Sequence, residues 1–285
     1  MVTAAKKLRN LINRKGTIMA PCAYDAMSAK LIELSGFKMV GTTGNGIHGH
    51  YMAVPDNGTM TMTEMADVYR RMSHAVDIPV MADAEAGYGN SINVIRTVQT
   101  FEETGLAGIF LEDQHVPTNC PFVSEPKLVS VETMVGKIRA AIAARKDPDF
   151  VICARSDAPF EEAVERAQAY LEAGADMIKI VPKTRKELEL LPQRVNAPLH
   201  IGFVSGKAMH QGLTLSDACQ LGYKIVTFPQ MLYYAAIKNQ LAALESLKEN
   251  GFDEAFQNHM IDMDTYNKIV DTEKFARYRK EYVKE

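Results

Sequence analysis

One rhythm constrains this chain more than any other feature: eight short β-rich runs, each followed by a longer stretch with helical patterning. The runs are TIMAPC (17–22), KMVGTT (38–43), PVMAD (79–83), AGIFLED (107–113), FVICARSD (150–157), DMIKIV (176–181), PLHIGFV (198–204) and YKIVTF (223–228). Several follow a helical stretch that ends on a glycine stop, as in IELSGF, FEETGLAG, LEAGAD and ACQLGY. Glycine just past a helix end is the expected C-cap. In PFEEAVERAQAYLEAGA, residues Ala163, Ala167, Tyr170 and Leu171 share one helical face, with glutamates opposite.

Strict alternation of eight such units predicts a parallel (β/α)8, or TIM, barrel. A doubly wound open sheet is the structural alternative. From about residue 229 the pattern is helical to the end, which is more helix than closing a barrel requires. That surplus predicts a C-terminal extension (229–285) on a single barrel domain, packed against another copy in a homo-oligomer.

Composition removes several classes of function. The chain has 285 residues, is 47% hydrophobic and carries a net charge of −3, with both signs spread along it. There is no basic block for nucleic acid and no acidic tail. No stretch approaches the ~18 apolar residues of a membrane helix, and the N-terminus MVTAAKKLRNLINRKG lacks the apolar core of a secretory signal. Cys22, Cys120, Cys153 and Cys219 are far apart, with no CxxC spacing, so neither a zinc site nor a disulfide framework is expected. Cys22 and Cys153 lie in apolar runs and read as inert core thiols of a soluble cytoplasmic protein.

In a (β/α)8 barrel the chemistry stands at the C-terminal ends of the strands. Here strand 3 runs into Asp83 and Glu85 within VMADAEAGYGN, strand 4 into Glu112, Asp113 and Gln114, and strand 5 into Arg155 and Asp157. Asp56 follows strand 2 in AVPDNG, within a long loop. Each residue alone has an ordinary role: Asp157 as a helix N-cap, Glu112 or Asp113 as a solvated charge, Arg155 as a structural ion-pair partner. The cluster is harder to account for. Two carboxylates ~4–5 Å apart at a partly buried strand end repel by a few kcal/mol. Either one is protonated or a cation lies between them. Hard oxygen ligands from Asp83, Glu85 and Glu112 suit Mg²⁺ or Mn²⁺.

Together AYDAMSAKLIELSGF, TTGNG, PDNG, PVMADAEAGYGN, LEDQ and ICARSDA resemble, in order and spacing, the short form of the isocitrate lyase / phosphoenolpyruvate mutase superfamily. That family includes methylisocitrate lyase, dimethylmalate lyase, oxaloacetate decarboxylase and the phosphonate mutases. The resemblance implies a Mg²⁺ site at Asp83, Glu85 and Glu112. It further implies a cradle for an α-keto carboxylate at Thr43, Gly44 and Asn45, lined by Tyr24, with Asp56 near substrate and metal and Arg155 on a carboxylate or oxyanion. The shared chemistry passes through a metal-stabilised pyruvate-type enolate. The implied protein is a carbon–carbon lyase or decarboxylase of a small 2-hydroxy or 2-keto acid, a cytoplasmic homotetramer with no membrane or nucleic-acid partner.

The chain also departs from that family. Glu85 stands where the family has aspartate. The lyases' cysteine loop, with two basic residues before the cysteine and glycine and histidine after it, is VPTNCPF here; only Cys120 remains. A thiol without a cationic neighbour keeps a pKa near ~8.5, so Cys120 can donate a proton but is poorly tuned as a base. Pro121 removes a glycine's freedom from the loop. Asn119 is similar to a mutase feature. Val181 and Gly202 replace a glutamate and an asparagine that help hold a second carboxylate, which argues against a tricarboxylate such as methylisocitrate. His48, His50 and His200 add polar groups near the barrel mouth, although lone histidines ordinarily serve loops or cores.

Three other readings stay open. One is a phosphonate mutase or hydrolase on the same scaffold. Another is a Schiff-base aldolase using Lys179, which should face the barrel interior on strand 6; its ordinary role there is pairing with Glu85 or Glu112. The last is a non-catalytic binding protein.

Overall fold

The structure, a computed structural model, describes residues 2–204, 206–207 and 210–284. Helix α1 Ala4–Asn13 precedes the strands β1 Ile18–Ala23, β2 Val40–Thr42, β3 Val80–Asp83 and β4 Gly108–Glu112. Strands β5 Val151–Ser156, β6 Met177–Ile180, β7 Leu199–Gly202 and β8 Ile225–Phe228 complete the set. Between strands run α2 Ala26–Leu34, α3 Gly44–Met52, α4 Met62–Ala75 and α5 Ser91–Glu103, then α6 Val131–Ala144, α7 Phe160–Glu172, α8 Arg185–Arg194 and α9 Leu215–Leu221. All pairings are parallel between sequence neighbours, and β8 closes on β1 through Ile18 opposite Ile225. The protein is therefore the (β/α)8 barrel that the alternation predicts, with each strand within two residues of its expected bounds, and further helices follow it.

Helix starts are written locally. Thr61, Thr184 and Thr214 each accept a hydrogen bond from the third amide of the following helix, and an acidic residue there reaches back to close a capping box. Asp25 and Asn90 do the same with Ser28 and Asn93.

The core has two layers. The larger lies between strands and helices and includes Tyr69, Phe101, Ile109, Leu111, Ile152 and Tyr170. The smaller fills the barrel itself with Met81, Phe110, Cys153, Met177 and Ile225, and α1 adds Leu8 and Ile12 to it. The barrel is thus packed rather than hollow. Cys22 and Cys153 are fully buried, with thiol pKa values pushed up to about 12 by desolvation, and all four cysteines are free.

One stretch differs from the sequence expectation. The long loop after β2 is half helix, because Thr43 caps α3 directly after the strand and Ala53 ends it in a left-handed conformation.

The chain divides into two compact units, one reaching to Leu232 and one beginning at Tyr233. In the second, α10 Met231–Asn250 continues from its start in the first, followed by a 3-10 turn Glu254–His259, α11 Met263–Ile269 and α12 Thr272–Tyr282. On α10 the side chains of Tyr234, Ile237, Leu241, Leu244 and Leu247 are exposed at helical spacing.

Candidate active site

A cavity open to solvent lies at the C-terminal ends of the strands. Thr43, Gly44, Asn45, Asp56, Asp83, Glu85, Glu112, Cys120 and Arg155 all line it. Tyr24 does not: its ring lies against His50, 5.3 Å between centroids, and its Cβ crowds Gly46.

The stretch after β3 is held by an unusual density of bonds. Asp83 Oδ1 accepts from the Glu85 amide (2.8 Å), and the Ala84 amide donates to the Phe110 carbonyl (2.9 Å). The Glu85 carbonyl accepts from the Glu112 amide (2.8 Å). Buried Lys137, on α6, donates to the Ala86 carbonyl (2.7 Å), and the Tyr69 hydroxyl to the Asp83 carbonyl (2.7 Å). These bonds fix Glu85 at φ 49°, a left-handed conformation that costs a non-glycine residue of order 1 kcal/mol or more. Gly87 follows at φ 81°, where a Cβ would run into Val94, so the turn requires glycine there.

The result is a close group of three buried carboxylates. One oxygen from each of Asp83, Glu85 and Glu112 lies within 4.8 Å of the others. Like charges at that separation repel by about 3 kcal/mol at an effective dielectric near 20. Desolvation, outweighing nearby Arg155 and Lys179, raises the pKa of Asp83. Desolvation with Asp83 and Asp56 raises that of Glu85 well above the usual carboxylate range. Glu85 Oε1 is buried without a hydrogen-bond partner among the described residues. An orphaned carboxylate oxygen in a ring of hard donors fits a divalent cation such as Mg²⁺. Asp56 borders the same place through a second close group, His48, Asp56 and Glu85. Desolvation and Asp83 raise its pKa too.

Next to the acids is the start of α3. Its third amide, Gly46, donates to Thr43 Oγ1 (3.1 Å) and its fourth, Ile47, to the Thr43 carbonyl (3.0 Å). The first two amides belong to Gly44 and Asn45, at the positive end of the helix. A Cβ on Gly44 would come within 2.8 Å of Asp56 Oδ2, so glycine there makes room for that carboxylate.

Arg155 is held between Glu112 and Asp157: Nη1 donates to Glu112 Oε1 and Nε to Asp157 Oδ1 (3.0 Å). Burial alone would lower its pKa, but Asp157, Glu112 and Asp83 outweigh burial and keep it charged. Asp157 is therefore not the N-cap of α7, a place taken by Pro159; its other oxygen accepts from Gln114 Nε2 (2.7 Å). Glu112 and Asp113 are not solvated charges either. Both are buried, and Asp113 accepts from Ser156 Oγ (2.6 Å), the Asp157 amide (3.1 Å) and Tyr170 Oη (2.9 Å). It supports the ends of β4 and β5 from behind.

The loop after β4 is stapled rather than hinged. Gln114 bonds Asn119 twice, Nε2 to the carbonyl (3.0 Å) and Oε1 from the amide (2.9 Å). The Thr118 hydroxyl donates to Glu85 Oε2. Cys120 lines the cavity half-buried, and desolvation raises its pKa, so its thiol is protonated at neutral pH.

The histidines separate. His48 is buried behind Asp56, with Nδ1 2.9 Å from the Gly44 carbonyl; His50 is half exposed, 3.7 Å from Asp25; His200 stands in the cavity wall with Nε2 2.9 Å from Thr227 Oγ1. Lys179 makes no ion pair with Glu85 or Glu112; its Nζ sits 3.8 Å from the Phe110 ring centroid. Thr118, Lys137 and Tyr69 are supporting residues that no sequence signal identifies, since each meets its partner 14 or more residues away along the chain.

The family model described as phosphoenolpyruvate phosphomutase matches residues 8–248. The chain is 36% identical over 286 residues to 2,3-dimethylmalate lyase of Eubacterium barkeri, covering 99% of both. It is 39% identical over 250 residues to 2-methylisocitrate lyase of Aeropyrum pernix, covering 86% of this chain and 80% of that one. A crystal structure of phosphonopyruvate hydrolase in complex with oxalate and Mg²⁺ superposes with a TM-score of 0.90 at 29% identity, covering 99% and 100% of the two chains. With the barrel, the acid cluster and these likenesses together, the chain belongs to the phosphoenolpyruvate mutase / isocitrate lyase superfamily of enzymes.

Proposed function

We propose that this protein is a Mg²⁺-dependent lyase or decarboxylase that breaks a carbon–carbon bond in a small 2-hydroxy or 2-keto acid. The observation that carries the reading is the meeting of Asp83, Glu85 and Glu112 within 4.8 Å, beside the first amides of α3. Asp83, Glu85 and Glu112 would hold Mg²⁺, with Mn²⁺ as a substitute. When bound, the ion supplies Lewis-acid stabilisation of negative charge developing on the substrate oxygens.

The remaining steps belong to the chain's own groups. The Gly44 and Asn45 amides hold the carboxylate next to the reacting carbon. Arg155, fixed in orientation by Glu112 and Asp157, meets the oxyanion. With a 2-hydroxy acid, Asp56 takes the hydroxyl proton as the carbon–carbon bond breaks. The bonding pair stays on the departing carbon, and the Cys120 thiol returns a proton to it. With a 2-keto acid that loses carbon dioxide, Asp56 has no proton to remove and Cys120 protonates the resulting enolate carbon. The stapled Thr118–Phe122 segment over the cavity keeps water from that carbanion.

A phosphonate mutase or hydrolase is the second reading. It is supported by Asn119 beside Cys120 in the cavity lining and by the likeness to phosphonopyruvate hydrolase. The exposed apolar stripe of α10 supports a homo-oligomer; a cytoplasmic tetramer is part of the same proposal. Offering oxaloacetate, 2,3-dimethylmalate and phosphonopyruvate to one preparation, with and without EDTA, separates the readings by pyruvate and phosphate release. Full turnover in EDTA would sink both.

A further inference from the structure

Asp83 and Glu112 stand on strands and Glu85 is tied to Thr118, but Asp56 lies in the loop between α3 and α4. Its carboxylate accepts no hydrogen bond within 3.5 Å from any described residue. Its one ion-pair contact within 4.0 Å, among the described residues, is His48 Nδ1, 3.6 Å from Oδ1. A loop carboxylate so placed has more than one rotamer open to it, and a proton transfer needs one of them.

The His48 ring is placed to choose. It is fully buried on α3, and Nδ1 faces two oxygens, the Gly44 carbonyl at 2.9 Å and Asp56 Oδ1 at 3.6 Å. A carbonyl can only accept, so Nδ1 carries a proton. That N–H attracts Oδ1 toward the ring. Oδ2 lies nearer Gly44 at the start of the cradle, where a Cβ would come within 2.8 Å of it.

The other ring nitrogen narrows the role further. Nε2 is buried without a partner among the described residues. An orphaned buried nitrogen costs stability, and an apolar side chain would avoid that cost. The bond to Gly44 does not offset it by holding the helix, because a helical carbonyl already has the amide four residues on as its partner. What this ring contributes is the N–H beside Asp56.

We propose that His48 is a positioning residue: its Nδ1–H holds Asp56 with Oδ1 toward the ring, so that Oδ2 is the oxygen that takes the hydroxyl proton of a 2-hydroxy acid. The inference rests on the function proposed above and adds the residue that orients its base. The proton passes from the substrate hydroxyl to Oδ2, and His48 keeps its own proton on Nδ1 throughout. His48 does not line the cavity, so it acts only through Asp56.

The test compares His48→Leu, which removes the donor, with His48→Asn, whose amide can present an N–H from the place of Nδ1. Cleavage of 2,3-dimethylmalate in Mg²⁺ is followed as pyruvate release. His48→Leu should lower kcat at least about 10-fold with KM within about 2-fold, because a misplaced base slows the step without weakening binding. Its Tm should not fall, since the orphaned nitrogen is gone. His48→Asn should recover most of the lost kcat. Crystal structures should show the Asp56 carboxylate turned in His48→Leu and in place in His48→Asn. Unchanged kcat in His48→Leu, a fall in its Tm that accounts for the lost turnover, or an unmoved Asp56 in its crystal overturns the proposal. Loss of bound Mg²⁺ from His48→Leu by calorimetry also overturns it, because the ring would then serve the metal. Full cleavage by the wild type in EDTA brings down the function proposed above instead. The position of Asp56 in the two crystals decides this proposal whatever the substrate proves to be.

Discussion

The hydroxyl of Thr118 donates to Oε2 of Glu85, so the loop after β4 is tied to the carboxylate after β3. The other oxygen of Glu85 stays unpartnered toward the acid cluster. One side chain thus faces two tasks, and its extra methylene relative to aspartate gives the reach for both. The loop and the carboxylate are parts of one arrangement.

If so, Thr118→Val and Glu85→Asp should each lower kcat/KM by about 10-fold or more, and the double variant should cost less than the sum. Steady-state kinetics of the four proteins close the cycle. Hydrogen exchange of residues 116–123 should rise in both single variants. Additive effects with unchanged exchange would separate the loop from Glu85.

The buried acids give the metal-free protein a distinctive pH dependence. Glu85, raised by desolvation and by Asp83 and Asp56, binds its proton more tightly folded than unfolded. Between its unfolded pKa, near 4.5, and its raised folded value, the native state holds the extra proton. Stability from this group is therefore present at low pH and is lost as pH rises through that window. In EDTA the Tm should fall as pH rises from the ordinary carboxylate range toward neutrality, and Mg²⁺ should flatten the decline. Mg²⁺ titrations in buffers of different ionisation enthalpy should show proton release.

Gly44→Ala tests the crowding at the start of α3. The new Cβ would meet Asp56 Oδ2 at 2.8 Å and push that carboxylate aside. Turnover should fall about 100-fold, while Tm drops by only a few degrees because alanine suits a helix. Equal loss of fold and turnover would show that Asp56 is merely structural.

Asp113→Asn should act in the opposite way. It removes a charge that gathers Ser156, Tyr170 and the Asp157 amide in a dry layer. A loss of about 3 kcal/mol in urea unfolding is expected, with activity per folded molecule largely kept.

Cys120 should alkylate slowly. Burial raises its pKa, so the thiolate is scarce at neutral pH. The iodoacetamide rate at Cys120 should be at least about 10-fold below that of exposed Cys219 at pH 7.5 and should climb on the alkaline side.

Strand order and the acid cluster were legible in the sequence because both are local. An apolar run marks a strand, and the residues at its end mark the barrel mouth. Asp83, Glu85, Glu112 and Arg155 could be placed together once the alternation was seen. What stayed hidden depends on partners far away along the chain. Asp157 reads as a helix cap until Arg155 and Gln114 are seen to claim it, and Lys179 reads as an acid's partner until the Phe110 ring is found beneath it. The start of α3 was missed because glycines and an asparagine signal a loop, whereas Thr43 supplies the cap that overrides them.

The left-handed backbone at Glu85 bears on any attempt to make this enzyme hardier. Glycine at position 85 would relieve the strain of a φ of 49° and remove a buried carboxylate, raising resistance to heat. That carboxylate is the one that joins the loop to the acids. Thermal robustness and function pull that position in opposite directions, so a screen that rewards only heat resistance would select an inert barrel.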